Sequence, residues 1–157
     1  MKSYNYKSFK IEILYEDDQL AILNKPFGLL THKKNPNDQE PSLCDSLKIF
    51  FNIKDDEPLK EGIVHRLDKF TSGIIIIVKT SLIKKKLKEL FKNRNINKFY
   101  TTYVIGNFLD KEIQISGNIA RQDKQRTKFK MIDEGGKDSL TIVRHLETFY
   151  GSISLLE

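Results

Sequence analysis

The residues best suited to chemistry lie together in His65-Arg66-Leu67-Asp68-Lys69-Phe70-Thr71-Ser72-Gly73, directly before the run Ile74-Ile75-Ile76-Ile77-Val78. An aspartate at the mouth of an apolar strand can be held rigidly. Arg66, two positions before Asp68, is in reach to pair with its carboxylate and keep it ionised in a partly buried pocket. An oriented, ionised carboxylate can serve as a nucleophile or as a general base. The same residue types also fit a purely structural arrangement, an Arg66–Asp68 ion pair at the start of a strand with Thr71 and Ser72 making turn hydrogen bonds. Residue types alone leave both readings open.

Other chemistries fit less well. A kinase-type catalytic loop places Asp directly after His-Arg, whereas Leu67 intervenes here, and neither a Gly-rich loop nor Asp-Phe-Gly is found. His32, His65 and His145 are scattered and no His-Glu-x-x-His occurs, so no metal is expected. No Gly-x-Ser-x-Gly elbow supports a serine hydrolase. Cys44 is the only cysteine, which excludes an internal disulfide and a cysteine-rich zinc site.

The elements that must position the loop can be read from the pattern. Two β-rich runs around Glu16-Asp17-Asp18-Gln19 predict a hairpin over 10–24, and Pro26-Phe27-Gly28 turns the chain into a further short strand, 29–32. The polar segment 33–40 reads as a loop. Ser42 caps a short helix bearing Leu43, Leu47, Phe50 and Phe51, with Asp45 completing a weak capping box. The unbroken apolar run 74–78 predicts a central strand covered on both faces. Thr80 or Ser81 then caps a second helix, with Leu82, Ile83, Leu87, Leu90 and Phe91 on its apolar side and Lys84, Lys85, Lys86, Lys88 and Lys92 on its open side. From Lys98 onward the pattern is β, divided by glycine-containing turns. The expected fold class is therefore α+β, a mostly antiparallel mixed sheet with few helices, in one domain spanning 1–157. The apolar final strand, 152–157, is expected to lie bare at a sheet edge.

Hydrophobic residues at 39% and charged residues at 31% describe a folded chain. No run approaches the roughly 20 apolar residues that span a bilayer, and the start, MKSYNYKSFK, has no secretory h-region. A soluble, cytoplasmic protein is expected. The formal charge of +6 favours polyanions. Basic residues concentrate in 84–98 and in 121–130, where Arg121, Lys124, Arg126, Lys128 and Lys130 face a single acid, Asp123, with Lys33 and Lys34 a third candidate.

The stretch EGIVHRLDKFTSGIIIIVKT resembles the signature of the RluA-type pseudouridine synthases: His-Arg-Leu-Asp, two variable residues, Thr-Ser-Gly, and an aliphatic strand ending in Lys. ILYEDDQLAILNKPFGLLTH resembles the opening of that family, and INKFYTTYVIGNF its Lys-x-Tyr strand. The resemblance implies the pseudouridine synthase catalytic-domain fold and an isomerase that acts on uridine in structured RNA without cofactor or metal. Asp68 takes the place of the catalytic aspartate, as nucleophile or as the base that removes a sugar proton. Tyr100 matches the tyrosine that stacks on the target uracil, and Arg66 the arginine that helps place the nucleotide. His65, Arg66, Thr71, Lys98, Arg121, Lys124, Arg126 and Lys128 are the expected RNA contacts. A uridine buried in folded RNA must be flipped out at a cost of roughly a few kcal/mol, and phosphate contacts offset that cost.

Ribosomal RNA is slightly favoured over transfer RNA as the target, and a monomer with no protein partner is expected. Members of the family continue into a Thr-Gly-Arg-x-His-Gln-Ile-Arg motif and often begin with an S4 domain. The sequence contains neither, so a missing C-terminal portion is expected. The alternative is an inactive, RNA-binding remnant.

Overall fold

The computed structural model describes residues 2–33, 35, 37–51, 62–122 and 128–157. They fall into two compact units, Met1–Asn97 and Lys98–Glu157. Among them no helix is long and apolar enough to cross a membrane.

The first unit contains strands β1 (Lys2–Tyr6), β2 (Phe9–Glu16), β3 (Leu20–Lys25) and β4 (Gly73–Val78), with helices α1 (Leu43–Phe50) and α2 (Ser81–Lys92). The strands form one sheet in the order β1-β2-β3-β4, each neighbouring pair antiparallel. The predicted hairpin is β2–β3. Its polar turn is closed by Asp17, whose Oδ1 accepts the N–H groups of Gln19 at 2.7 Å and Leu20 at 2.8 Å. Those bonds, Leu20's first, hold the carboxyl below its ordinary pKa. Alternation along the strands sends Ile11, Ala21, Leu23, Ile75 and Ile77 to one buried face, where they meet Leu29, Leu43, Leu47, Phe51 and Ile63.

Helix α1 starts as expected: Ser42 Oγ accepts the Asp45 N–H at 3.2 Å and donates to Asp45 Oδ2 at 2.9 Å. The predicted strand at 29–32 is not one. Among the described residues its only ladder contact is a single parallel bridge, Leu30 to Ser42, and its carbonyls do a different job. Leu30 O and Thr31 O accept the N–H groups of Leu43 at 2.7 Å and Cys44 at 3.1 Å, two of the orphan donors of the first helical turn.

β4 is not the central strand its composition predicts. It pairs with β3 along its whole length and, among the described residues, ends the sheet. Its outer N–H groups are taken by the loop that precedes it: Val78 N–H donates to Gly62 O at 2.8 Å and Ile76 N–H to His65 Nε2 at 2.9 Å. Among the described residues this loop, rather than another strand, meets the edge. One face of the run is buried through Ile75 and Ile77, while Ile74 is exposed.

In α2, Thr80 caps by accepting the Ile83 N–H, but the division into apolar and basic sides needs correction. Lys84 is buried, whereas Leu82 and Leu90 are exposed. The inward stripe of half-buried or buried side chains runs through Lys84, Leu87, Lys88 and Phe91, so lysine stems lie along the surface that the pattern reserves for leucines.

The second unit is a five-stranded antiparallel sheet ordered β5-β9-β8-β6-β7, from β5 (Thr102–Ile105), β6 (Glu112–Arg121), β7 (Phe129–Ile132), β8 (Lys137–Phe149) and β9 (Ile153–Leu156). The final strand is thus not a bare edge: β9 lies between β5 and β8, paired on both sides. The β8–β9 hairpin closes through Tyr150 and Gly151, both at positive φ (51° and 64°), with Ser152 N–H donating to Phe149 O at 3.1 Å. That is the mirror-image turn whose twist matches the flanking strands.

Candidate active site

The His65–Gly73 loop is knitted to the turn after β3 by contacts to its backbone. Lys25, at the end of β3, has no solvent exposure. Its ammonium donates to Leu29 O at 2.7 Å and Pro26 O at 3.1 Å and reaches Lys69 O at 3.4 Å. Gly28 N–H donates to Lys69 O at 2.8 Å. The left-handed backbone there (φ 86°) requires a residue such as glycine. Thr31 Oγ1, nearly fully buried, donates to Leu67 O at 2.6 Å and accepts the Leu67 N–H at 3.3 Å. On the far side Thr71 N–H closes back on Asp68 O at 3.1 Å. The backbone from Leu67 to Thr71 is therefore bonded at nearly every step.

His65 fixes the start of the loop. Its Nε2 accepts from Ile76, which requires the neutral ring to carry its proton on Nδ1. The ring also stacks on Phe91 of α2 at 4.8 Å between centroids.

The Asp68 carboxylate contrasts with this fixed backbone. Its side chain is 86% exposed, and Arg66 Nη2 lies 3.8 Å from Oδ1 with its own side chain 68% exposed. The partly buried pocket expected from the sequence is not formed within this unit, because the residues around the carboxylate anchor its backbone and leave its oxygens to solvent. An ion pair at this separation and exposure contributes little to stability. Electrostatics reaches below the surface instead. Burial pushes the Lys25 ammonium below its ordinary pKa, and the charge of Asp68 opposes that shift. The charge of the open carboxylate is thus felt by a buried cation.

Of the expected site residues, His65, Arg66, Asp68 and Thr71 come together in the first unit. Tyr100 and Lys98 belong to the second, in the segment before β5 and not in the strand expected for them; Tyr100 is 52% exposed. Arg121 and Phe129 are cross-strand partners, with the guanidinium 5.2 Å from the ring centroid, and Lys128 is exposed beside them. Lys124 and Arg126 lie outside the described residues, as does Lys34. Lys33 is paired with Asp45 of α1 at 3.2 Å. The residues that sequence reasoning missed are Lys25 and Thr31. Lys25 sits in the quoted Asn-Lys-Pro turn, but nothing in that pattern marks it as buried.

Residues 19–157 match the family model described as RNA pseudouridylate synthase. The chain belongs to that family. The ribosomal large subunit pseudouridine synthase D of Borreliella burgdorferi is 39% identical over 93% of this chain and 45% of its own length. The synthase of the same name from Nitrosomonas europaea is 32% identical over 98% and 44%. The chain thus spans less than half the length of these curated relatives. Two solved human proteins share the fold of this RNA pseudouridylate synthase family member. RNA Pseudouridylate Synthase Domain Containing 1 gives a TM-score of 0.73 at 21% identity over 93% of this chain and 57% of its own. RNA Pseudouridylate Synthase Domain Containing 4 gives 0.64 at 22%, over 92% and 56%.

Proposed function

We propose that this chain carries catalytic machinery of an RNA pseudouridine synthase, converting uridine in structured RNA to its C5-linked isomer, with Asp68 as the reacting carboxylate. The observation that carries this reading is the contrast at Asp68 between a loop backbone fixed by Gly28, Thr31 and Thr71 and a carboxylate open to solvent. A structural ion pair has no need of such anchoring, whereas a group that must meet one atom of a flipped-out nucleotide does.

In the reaction the N1–C1′ bond breaks, the uracil turns, and C5 joins C1′. C5 then loses its proton and N1 ends protonated, so the product is an isomer and no co-reactant is consumed. Asp68 either attacks the sugar carbon or removes a sugar proton, and both roles need the ionised form. Arg66, 3.8 Å away, is the cation nearest to hand. Arg66 helps to place the nucleotide and Tyr100 supplies the stacking surface for the uracil. His65, Thr71, Lys98, Arg121, Lys124, Arg126 and Lys128 extend the RNA contacts. Both units belong to one catalytic domain, a reading supported by the family match that runs through both. The names of the relatives favour ribosomal RNA over transfer RNA, and the protein acts as a cytoplasmic monomer.

The test is direct. Ribosomal RNA incubated with the protein and labelled with carbodiimide should show new reverse-transcription stops, and Asp68→Asn should abolish them. Equal modification by Asp68→Asn would remove Asp68 from the chemistry.

A further inference from the structure

Phe27 and Phe70 are 64% and 66% exposed, yet their rings meet at 5.3 Å between centroids, tilted by 38°. They come from the two loops that Gly28 and Thr31 tie together, and Phe70 is two residues from Asp68. The Lys69 ammonium lies 5.5 Å from the Phe70 ring centroid and is held there by Glu40 at 2.6 Å. A phenylalanine ring left in water forgoes the stabilisation that burial supplies. Two of them in contact, on loops with little freedom to fold them away, form a standing apolar step beside the reactive carboxylate. Aromatic faces next to a cationic group are how proteins hold unpaired bases, because every base has a π-face to stack.

We propose that the Phe27–Phe70 pair is a stacking platform for an unpaired nucleobase that neighbours, in the RNA, the uridine presented to Asp68. The inference rests on the RNA pseudouridine synthase reading and adds a binding site to it. Flipping a uridine out of its stack strips its neighbours of a partner. A ring pair at the rim replaces the lost stack, and it does so without sequence preference.

The chain contains no tryptophan, so Phe70→Trp installs a single fluorescent reporter at the platform. The variant is titrated with an oligouridylate and with an abasic ribose-phosphate oligomer of equal length and charge. The free protein should emit as a water-exposed indole, the oligouridylate should quench it, and the abasic oligomer should not. Adding Phe27→Ala should weaken oligouridylate binding by about tenfold, the order expected for loss of one base–aromatic stack. On ribosomal RNA, Phe27→Ala and Phe70→Ala should raise KM by a similar factor with kcat close to the parent value, and Phe70→Tyr should restore KM. A blue-shifted indole before RNA is added would mean that protein covers the ring and would overturn the proposal. Equal quenching by the abasic oligomer, or an unchanged KM in both alanine variants, would overturn it as well. If RNA is modified but quenching does not depend on bases, the platform falls and the synthase reading stands. If quenching depends on bases but no RNA is modified, the synthase reading falls and base stacking on the pair stands.

Discussion

Replacing Lys25 with methionine tests whether the buried ammonium is the knot beneath the active loop. The change keeps an unbranched, apolar side chain of similar length and removes only the charge and its donors. Two of the three contacts, at 2.7 and 3.1 Å, have good hydrogen-bond lengths, whereas the 3.4 Å approach to Lys69 O lies beyond the usual range. At about 1.5–3 kcal/mol net for each hydrogen bond to a charged group, the two good bonds contribute about 3–6 kcal/mol. Burial of the ammonium subtracts from that, as its lowered pKa records. Methionine has no such penalty, so the expected net loss is about 2–4 kcal/mol, within the range for disrupting a buried polar network. Urea unfolding should show the midpoint falling with an unchanged slope.

A local signature separates this cause from general loosening. The Gly28 N–H, bonded to Lys69 O at 2.8 Å, should lose hydrogen-exchange protection by more than the global change explains. Because Lys25 is fully buried, it cannot meet phosphate. The variant should therefore lose kcat while its RNA affinity at moderate salt stays near that of the parent. Asp68→Asn should lower the Lys25 pKa further, read from the side-chain resonances, since the opposing charge is gone. A stability loss under about 1 kcal/mol with Gly28 still protected would refute the reasoning. So would weakened RNA binding with kcat intact, which would place the ammonium at the RNA and not beneath the loop.

Two further expectations follow from the same geometry. Thr31→Val preserves shape but strips both bonds to Leu67, leaving a buried donor and acceptor unpaired. A loss of about 2–4 kcal/mol is expected in urea unfolding, with fast exchange at Leu67 N–H, and a change near zero would mean that the loop finds other partners. Burial pushes the Tyr4 phenol from 10.0 up to about 12, only partly offset by its hydrogen bond with Ser46. The neutral phenol is thus favoured in the folded state, and its contribution to stability is fully present below pH 10.0 and lost as pH rises through about 12. Tyr4→Phe should flatten part of the alkaline fall in the urea midpoint, and an unchanged pH profile would count against a buried phenol.

What could be read from the sequence was what neighbouring residues decide among themselves. The β2–β3 hairpin follows from polar residues at its turn, and the start of α1 from a serine three positions before an aspartate, because both ends of each interaction lie in one short window. Strand order does not work that way. An unbroken apolar run suits a central strand, yet among the described residues β4 ends its sheet, with Gly62 and His65 binding the outer N–H groups of Val78 and Ile76. An apolar final strand suggests a bare edge, yet β9 lies between β5 and β8. In α2 hydrophobicity alone separates apolar from basic sides, and it does not account for Lys84, a lysine whose stem is buried.

The site divides along the same line. Asp68 stands out in the sequence because the chemistry proposed for it demands a carboxylate, and few residue types can supply one. Lys25, Thr31 and the Nε2 atom of His65 serve it by binding backbone N–H and carbonyl groups. Those groups are the same at every position of the chain apart from proline's missing N–H. A side chain that meets another side chain leaves a complementary pair of letters in the sequence, whereas one that meets a backbone group leaves a single letter with no visible counterpart. The residues that hold such a loop in place are therefore harder to find than the residue they hold, and in this protein they emerge only from where the hydrogen bonds of Leu67 and Lys69 go.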